Sequence, residues 1–251
     1  MYLSRLRFDR HHPGALRRLS DPYEMHRFIW HAFPDESPLN RKGARDILWR
    51  VEPLDSNRAD TSPTLIVQSQ LEPDWNRPDV SVLACPPDVK EWEPVFRLNQ
   101  RLKFRLRANP TKRIHDSRTI HNDNPDRRKH LAEKGMRVAL LKEPEQIDWL
   151  ITRAAERGFQ VSENGECVTV ANGIDELRYD LRRAWFRVER WSGYGAVKRG
   201  QDNTGRMRWH GVDFEGELEV TDSDRFADTI ANGIGSAKAF GFGLLSVAPV
   251  M

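Results

Sequence analysis

Apolar and polar residues alternate from the start of the chain, and this period of two predicts a strand over residues 2–8 (YLSRLRF). The period then lengthens to that of a helix. Asp21, Pro22 and Glu24 have the character of an N-cap, a first-turn proline and the closing residue of a capping box. A helix is therefore predicted from there to about Phe33, stopping before Pro34. Two β-rich runs follow, ILWRVE at 47–52 and TLIVQSQ at 64–70, separated by a polar, proline-containing loop. A weak helical segment and a short strand over 94–98 complete the order strand, helix, strand, strand, helix, strand. That is the split βαβ pattern of a ferredoxin-like domain.

The second half repeats the order. LKFRLRANPTKRI (102–114) reads as one strong strand, and EPEQIDWLITRAAERG (143–158) as an amphipathic helix ending at a glycine C-cap. WFRVERW (185–191) and VDFEGELEV (212–220) read as strands. SDRFADTIANGIG (223–235) reads as a helix capped by serine at one end and glycine at the other, and GLLSVAPV (243–250) as the closing strand. The expected fold class is α+β, two tandem ferredoxin-like (βαββαβ) domains spanning residues 1–97 and 98–251. The stretches 115–137 and 159–184 are long for loops, and loops of that length are usually functional or disordered.

Composition narrows the class. The 251 residues are 38% hydrophobic and 31% charged, the balance of a soluble globular chain. No apolar run approaches the roughly 20 residues that span a bilayer, and no membrane partner is expected. The opening MYLSRLRFDR lacks the continuous apolar segment of a signal peptide, so cytoplasmic residence is expected. Cys85 and Cys167 have neither CxxC partners nor histidines at zinc-ligand spacing and are expected to be ordinary thiols. A net charge of +3 says little about partners. Its distribution says more: residues 97–142 carry fourteen Lys/Arg against four Asp/Glu, and a second basic stretch runs over 182–208. Clustered cations of this kind suit a polyanion.

Three features carry candidate chemistry. In RLKFRLRAN, Arg101, Lys103, Arg105 and Arg107 alternate with Leu102, Phe104, Leu106 and Ala108, which predicts a ladder of cations on one face of a strand. Four like charges in register repel, so an anion such as RNA is expected to lie across them. Lys112, Arg113, Arg118, Arg127, Arg128 and Lys129 extend the same surface. The second feature, GIGSAKAFGFGLLSVAP, sets Gly233, Gly235, Gly241 and Gly243 around Ser236 and Lys238, where exposed backbone N–H groups can cradle a phosphate. A plain helix cap and tight turn account for these glycines equally well. The third is the helix DPYEMHRFIWHAFP, in which Tyr23 and His26 share a face while Met25, Ile29, Ala32 and Phe33 turn to the core. A histidine exchanges protons near neutral pH, and a tyrosine beside it can orient it or hydrogen-bond a phosphate. His31 lies off that face and reads as structural. His11, His12, His115, His121 and His130 are expected in loops, without ligand spacing. No paired carboxylates or HExxH motif points to a metal, and no cofactor is expected.

Together, MYLSRL, YEMHRFIWHAFP, FRLRANPTK and GIGSAKAFGFGLLSVAP resemble the CRISPR repeat-processing endoribonuclease of the type I-E Cascade complex, the CasE family. The four segments come in the family's order, so the likeness covers the whole chain. The resemblance implies a metal-independent enzyme that cuts precursor CRISPR RNA at the 3′ base of each repeat hairpin. It also implies that the enzyme stays on the mature crRNA as a subunit beside other Cascade subunits. By motif position His26 is the implied catalytic histidine and Tyr23 its partner. The same resemblance implies that the cationic strand and loop hold the hairpin and that Gly235, Ser236 and Lys238 lie beside the RNA backbone. Lys112, Lys142 and Lys238 are candidates to stabilise charge on the phosphate. The rival readings are a non-catalytic RNA-binding subunit and a metal-dependent nuclease or nucleotide enzyme.

Overall fold

The structure is a computed structural model that describes residues 1–34, 47–52, 62–116, 125–161, 186–197 and 206–250. Arg118 and most of the expected 159–184 loop lie outside the described residues. The first sheet contains β1 (Tyr2–Arg7), β2 (Ile47–Val51), β3 (Thr64–Ser69) and β4 (Asp88–Glu91) in the order β2-β3-β1-β4, every neighbour antiparallel. Helices α1 (Pro13–Ser20) and α2 (Pro22–Trp30) contribute to its core, where Ala15, Met25, Phe28 and Ile29 join Leu6, Phe8, Trp49, Leu65 and Val67. The period of two is visible in β1, where Ser4 and Leu6 are buried and Arg5 is exposed. Helix α1 has no counterpart in the sequence reading. His12 caps it, its Nδ1 accepting from the Gly14 amide at 3.1 Å, with Pro13 in the first turn.

Two expectations for this half need correcting. The fourth strand is Asp88–Glu91, not 94–98. Pro94 has no N–H to give a ladder, and Trp92 and Phe96 pack instead against the second core. The weak helical segment is a single 3-10 turn, Val80–Val82.

The second sheet contains β5 (Arg101–Ala108), β8 (Phe159–Gln160), β9 (Phe186–Val197), β10 (Arg206–Val220) and β11 (Leu245–Pro249). Its order is β11-β5-β10-β8, with β9 also paired to β10, all antiparallel. Helices α4 (Glu143–Glu156) and α5 (Ser223–Asn232) supply Ile147, Leu150, Phe226 and Ile230 to a core with Leu102, Phe104, Leu106, Phe214 and Leu218. The single strand expected over 102–114 breaks at Asn109 and Pro110. Its far half, β6 (Thr111–Ile114), pairs with β7 (Met136–Ala139) in a separate two-stranded sheet, and α3 (Pro125–Lys134) lies between them in the chain. The 115–137 stretch thus holds a helix, which carries His130. Asp222, not Ser223, is the N-cap of α5, accepting from the Arg225 amide at 3.0 Å.

The two sheets meet through the side of β2 and β3 that faces away from α1 and α2. Gln68 donates to the Ile230 carbonyl at 2.7 Å, satisfying an acceptor that the end of α5 leaves open. Arg50 is 2% exposed and donates to the Arg105 and Leu244 carbonyls and to Ser246 Oγ, while its other edge grips Glu52. Glu52 also receives Arg105 of β5. Burial alone would raise the Glu52 carboxyl, but Arg50 and Arg105 outweigh it and hold its pKa below the ordinary carboxylate range.

Candidate active site

Helix α2 is fixed before it presents any chemistry. Asp21 Oδ1 accepts from the Tyr23 amide at 2.9 Å, Pro22 occupies the first turn, and Met25, Phe28 and Ile29 anchor the inner face. Tyr23 and His26 are left half-buried on the flank. His31 is the helix C-cap and is exposed.

That flank meets the glycine loop. The His26 ring lies 5.4 Å from Trp30 and 6.1 Å from Phe240 between centroids. Phe240 belongs to a short turn, Lys238–Phe240, and is backed by Trp209 of β10 at 4.3 Å. The Ala239 carbonyl of that turn acts on the His26 ring as a hydrogen-bond acceptor. The same carbonyl accepts from Trp49 Nε1 at 3.2 Å. Burial lowers the His26 pKa below its ordinary value, an effect the Ala239 bond offsets only in part. A neutral imidazole that donates through one nitrogen keeps the other as an acceptor. Such a group can take a proton.

The glycines of this loop work largely as backbone devices. Gly233 ends α5 at φ +69°, and an added Cβ there would come within 2.8 Å of Leu48. Gly241, at φ +87°, lies so close to the Trp49 ring that a Cβ would reach 2.8 Å. Lys238 Nζ donates to the Asn232 carbonyl at the end of α5, so its charge serves a helix terminus. Ser236 Oγ bonds Asn109, which ties the loop to the end of β5.

The cationic ladder is not the unmatched row expected from β5 alone. The β5–β10 register sets Asp213 opposite Arg107, Glu215 opposite Arg105, Glu217 opposite Lys103 and Glu219 opposite Arg101. Arg107 is 4% exposed, grips Asp213 through two bonds of 2.7 and 2.9 Å, and donates to the Val51 carbonyl. Arg105 pairs with Glu52 and Glu215, and Arg101 with Glu217 at 2.7 Å. Carboxylates on the next strand relieve the repulsion at Arg101, Arg105 and Arg107, while Lys103 stays exposed. The signal was present in VDFEGELEV, whose acids alternate with the same period. What the sequence reading lacked was the pairing partner.

Elsewhere the structure gathers residues that were far apart in the sequence. A groove of about 740 Å³ is lined by Lys112, Arg113, Gly235 and Ser236, joined by Arg137 and Arg157. Its other wall is acidic, and Lys112 pairs with Glu145 at 3.1 Å. Lys103 and Arg113 are exposed, as is Lys142 at the start of α4. Arg127 and Arg128 lie on α3. Trp49, Ala239, Phe240 and Trp209 were not anticipated. A carbonyl leaves no sequence signal, and Trp49 reads as an ordinary core position of β2. Among the described residues no group of three or more His, Cys, Asp or Glu side chains could hold a metal ion, and no helix is long and apolar enough to cross a membrane.

Comparison with known proteins relates the chain as a whole to a family. The profile of the family described as CRISPR associated protein matches residues 1–249. The chain is 35% identical to the CRISPR-associated endoribonuclease Cse3 of Thermus thermophilus, over 99% of this chain and 100% of the relative. It is 32% identical to the CRISPR system Cascade subunit CasE of Escherichia coli, over 92% and 93%. Among solved structures, CRISPR endoribonuclease Cse3 bound to a 19 nt RNA superposes with a TM-score of 0.72 at 33% identity, covering 99% of this chain and all of the other.

Proposed function

The chain belongs to the CRISPR-associated protein family that includes Cse3 and CasE, and on that premise we propose that it is the endoribonuclease that matures CRISPR RNA. It binds the repeat hairpin of the precursor, cuts once at the 3′ base, and remains on the mature crRNA beside other Cascade subunits in the cytoplasm. We read each sheet as one ferredoxin-like unit, over residues 1–97 and 98–251. The strand orders β2-β3-β1-β4 and β11-β5-β10-β9 support this, since each places a strand antiparallel between the two strands joined by the first crossover.

The observation that carries the enzymatic reading is His26 at the junction of α2 and the glycine loop, half-buried there with its pKa lowered by burial. RNA brings its own nucleophile. The 2′-oxygen bonds to phosphorus, the bond from phosphorus to the 5′-oxygen breaks, and a 2′,3′-cyclic phosphate and a 5′-hydroxyl result. His26 removes the 2′-proton, a contribution of about 10²–10⁴-fold. Tyr23 donates to a phosphate oxygen, and the departing 5′-oxygen takes a proton from solvent. Lys112 and Arg113 grip the backbone of the stem, with Arg127 and Arg128 of the neighbouring helix, while Gly235 and Ser236 flank it. An A-form stem is read by shape and backbone, which a groove with one basic wall can do without base contacts. Purified protein with labelled repeat RNA in excess EDTA should give a single cut, and His26→Ala should abolish it. A 2′-deoxy substitution at the scissile position should block cutting and leave binding intact. Normal cleavage by His26→Ala would falsify the role of that residue, and loss of cleavage in EDTA would overturn the metal-free mechanism.

A further inference from the structure

We infer that Trp49 is a positioning residue for the cleavage reaction, holding the Ala239 carbonyl where it fixes the tautomer and aim of the His26 ring. The inference rests on the reading of His26 as the proton acceptor. Its basis is geometric. Ala239 is in the middle of a three-residue turn, entered through Ala237 at φ +61° and left through Gly241 at φ +87°. Such a turn has little hydrogen bonding of its own to hold one carbonyl in one direction: Phe240 bonds back to Ala237 at 2.9 Å, and Gly241 to Lys238 at 3.4 Å. Trp49 supplies that direction from outside the loop. Its ring is 1% exposed in the first core, locked on β2, and its N–H reaches the Ala239 oxygen at 3.2 Å. The ring also packs against Gly241, where no side chain could fit without movement.

A carbonyl oxygen has two lone pairs and can accept from Trp49 and His26 together. Fixing the acceptor fixes which ring nitrogen carries the proton, so the other faces the substrate as an acceptor. Without the indole N–H the turn is free to rotate its peptide, both tautomers populate, and fewer molecules are competent at any moment. RNA affinity should change little, because the cations of the groove are carried by β6, β7 and the end of α4, and only Gly235 and Ser236 of the glycine loop line it.

The test removes one proton donor and little else. Trp49 is replaced by benzothienylalanine, which keeps the bicyclic shape and lacks the N–H, and in parallel by Phe. Three quantities are measured: the single-turnover cleavage rate, the Kd for 2′-deoxy repeat RNA, and the ring ¹⁵N spectrum of His26. The expected result for the isosteric replacement is a rate about tenfold lower (~1.4 kcal/mol). Its Kd should be unchanged, and the His26 spectrum should pass from one tautomer to a mixture. Normal RNA binding shows that the variant is folded. A wild-type rate in a binding-competent variant overturns the proposal, and so does a slower variant whose tautomer is unchanged. His26→Ala, run alongside, separates the two layers: if it cuts normally the enzymatic reading fails, whatever Trp49 does.

Discussion

Protonated, an imidazole has two donors and no acceptor; neutral, it has one of each. Burial holds His26 on the neutral side of its ordinary value of 6.5. The acid limb of the cleavage profile should therefore fall below that value, as measured by single-turnover rates across pH on a substrate held saturating. A limb at or above it would mean that another group titrates. The sign for folding is the same. A histidine whose pKa is lowered in the folded state costs stability as pH falls through the interval below its unfolded value. Arg107 poses the opposite problem, a charge that is useful only while paired. Arg107→Ala or Asp213→Ala strands a buried partner and should cost about 3–5 kcal/mol in urea unfolding, while replacing both by apolar residues should cost far less. If Arg107→Ala unfolds at the wild-type urea concentration, the pair is not buried as described.

Between residues, the elements divide the work of charge. On β5, Arg107 is sealed against Asp213, whereas Lys103 of the same strand, with β6, β7 and the start of α4, carries cations that reach solvent. Replacing Lys112 and Arg113 together by Ala should weaken repeat RNA binding and lower the slope of log K against log salt by roughly 1.5. Thermal stability should hardly move, since the Lys112–Glu145 pair is exposed. An unchanged slope would remove both residues from the phosphate contacts. At this scale the sequence was informative about elements and poor about partners. Alternation marked β1 and β5, and Asp21 with Pro22 marked the start of α2, because those signals are local. The break at Asn109–Pro110 and the strand at Asp88–Glu91 depend on which backbone groups find a mate, and an isolated segment does not encode that. The pairing of His26 with Ala239 was out of reach for the same reason: one partner is an unremarkable peptide group 213 positions further along the chain.

For the molecule as a whole, the seam between the sheets is polar, buried at Arg50 and half-buried at Arg105 and Glu215. Arg50, Glu52, Arg105 and Glu215 form a chain of alternating charge across it. Glu52 has its pKa lowered in the folded state, so its contribution is present above the unfolded carboxylate value and is lost as pH falls through the folded one. Acidification below the usual carboxylate range should loosen the seam. Faster hydrogen exchange at Val51, Leu244 and Ser246 than within the two cores would report it, and uniform exchange across seam and cores would contradict it. The division between buried and exposed arginines also bears on handling the protein. At about 1 M salt the Debye length shrinks to roughly 3 Å, which dissolves contacts to phosphates in solvent and hardly reaches ion pairs sealed from water. A strong salt wash should therefore strip adventitious cellular RNA from the purified chain and leave Arg107 on Asp213, yielding folded, empty protein ready to be loaded with a chosen repeat.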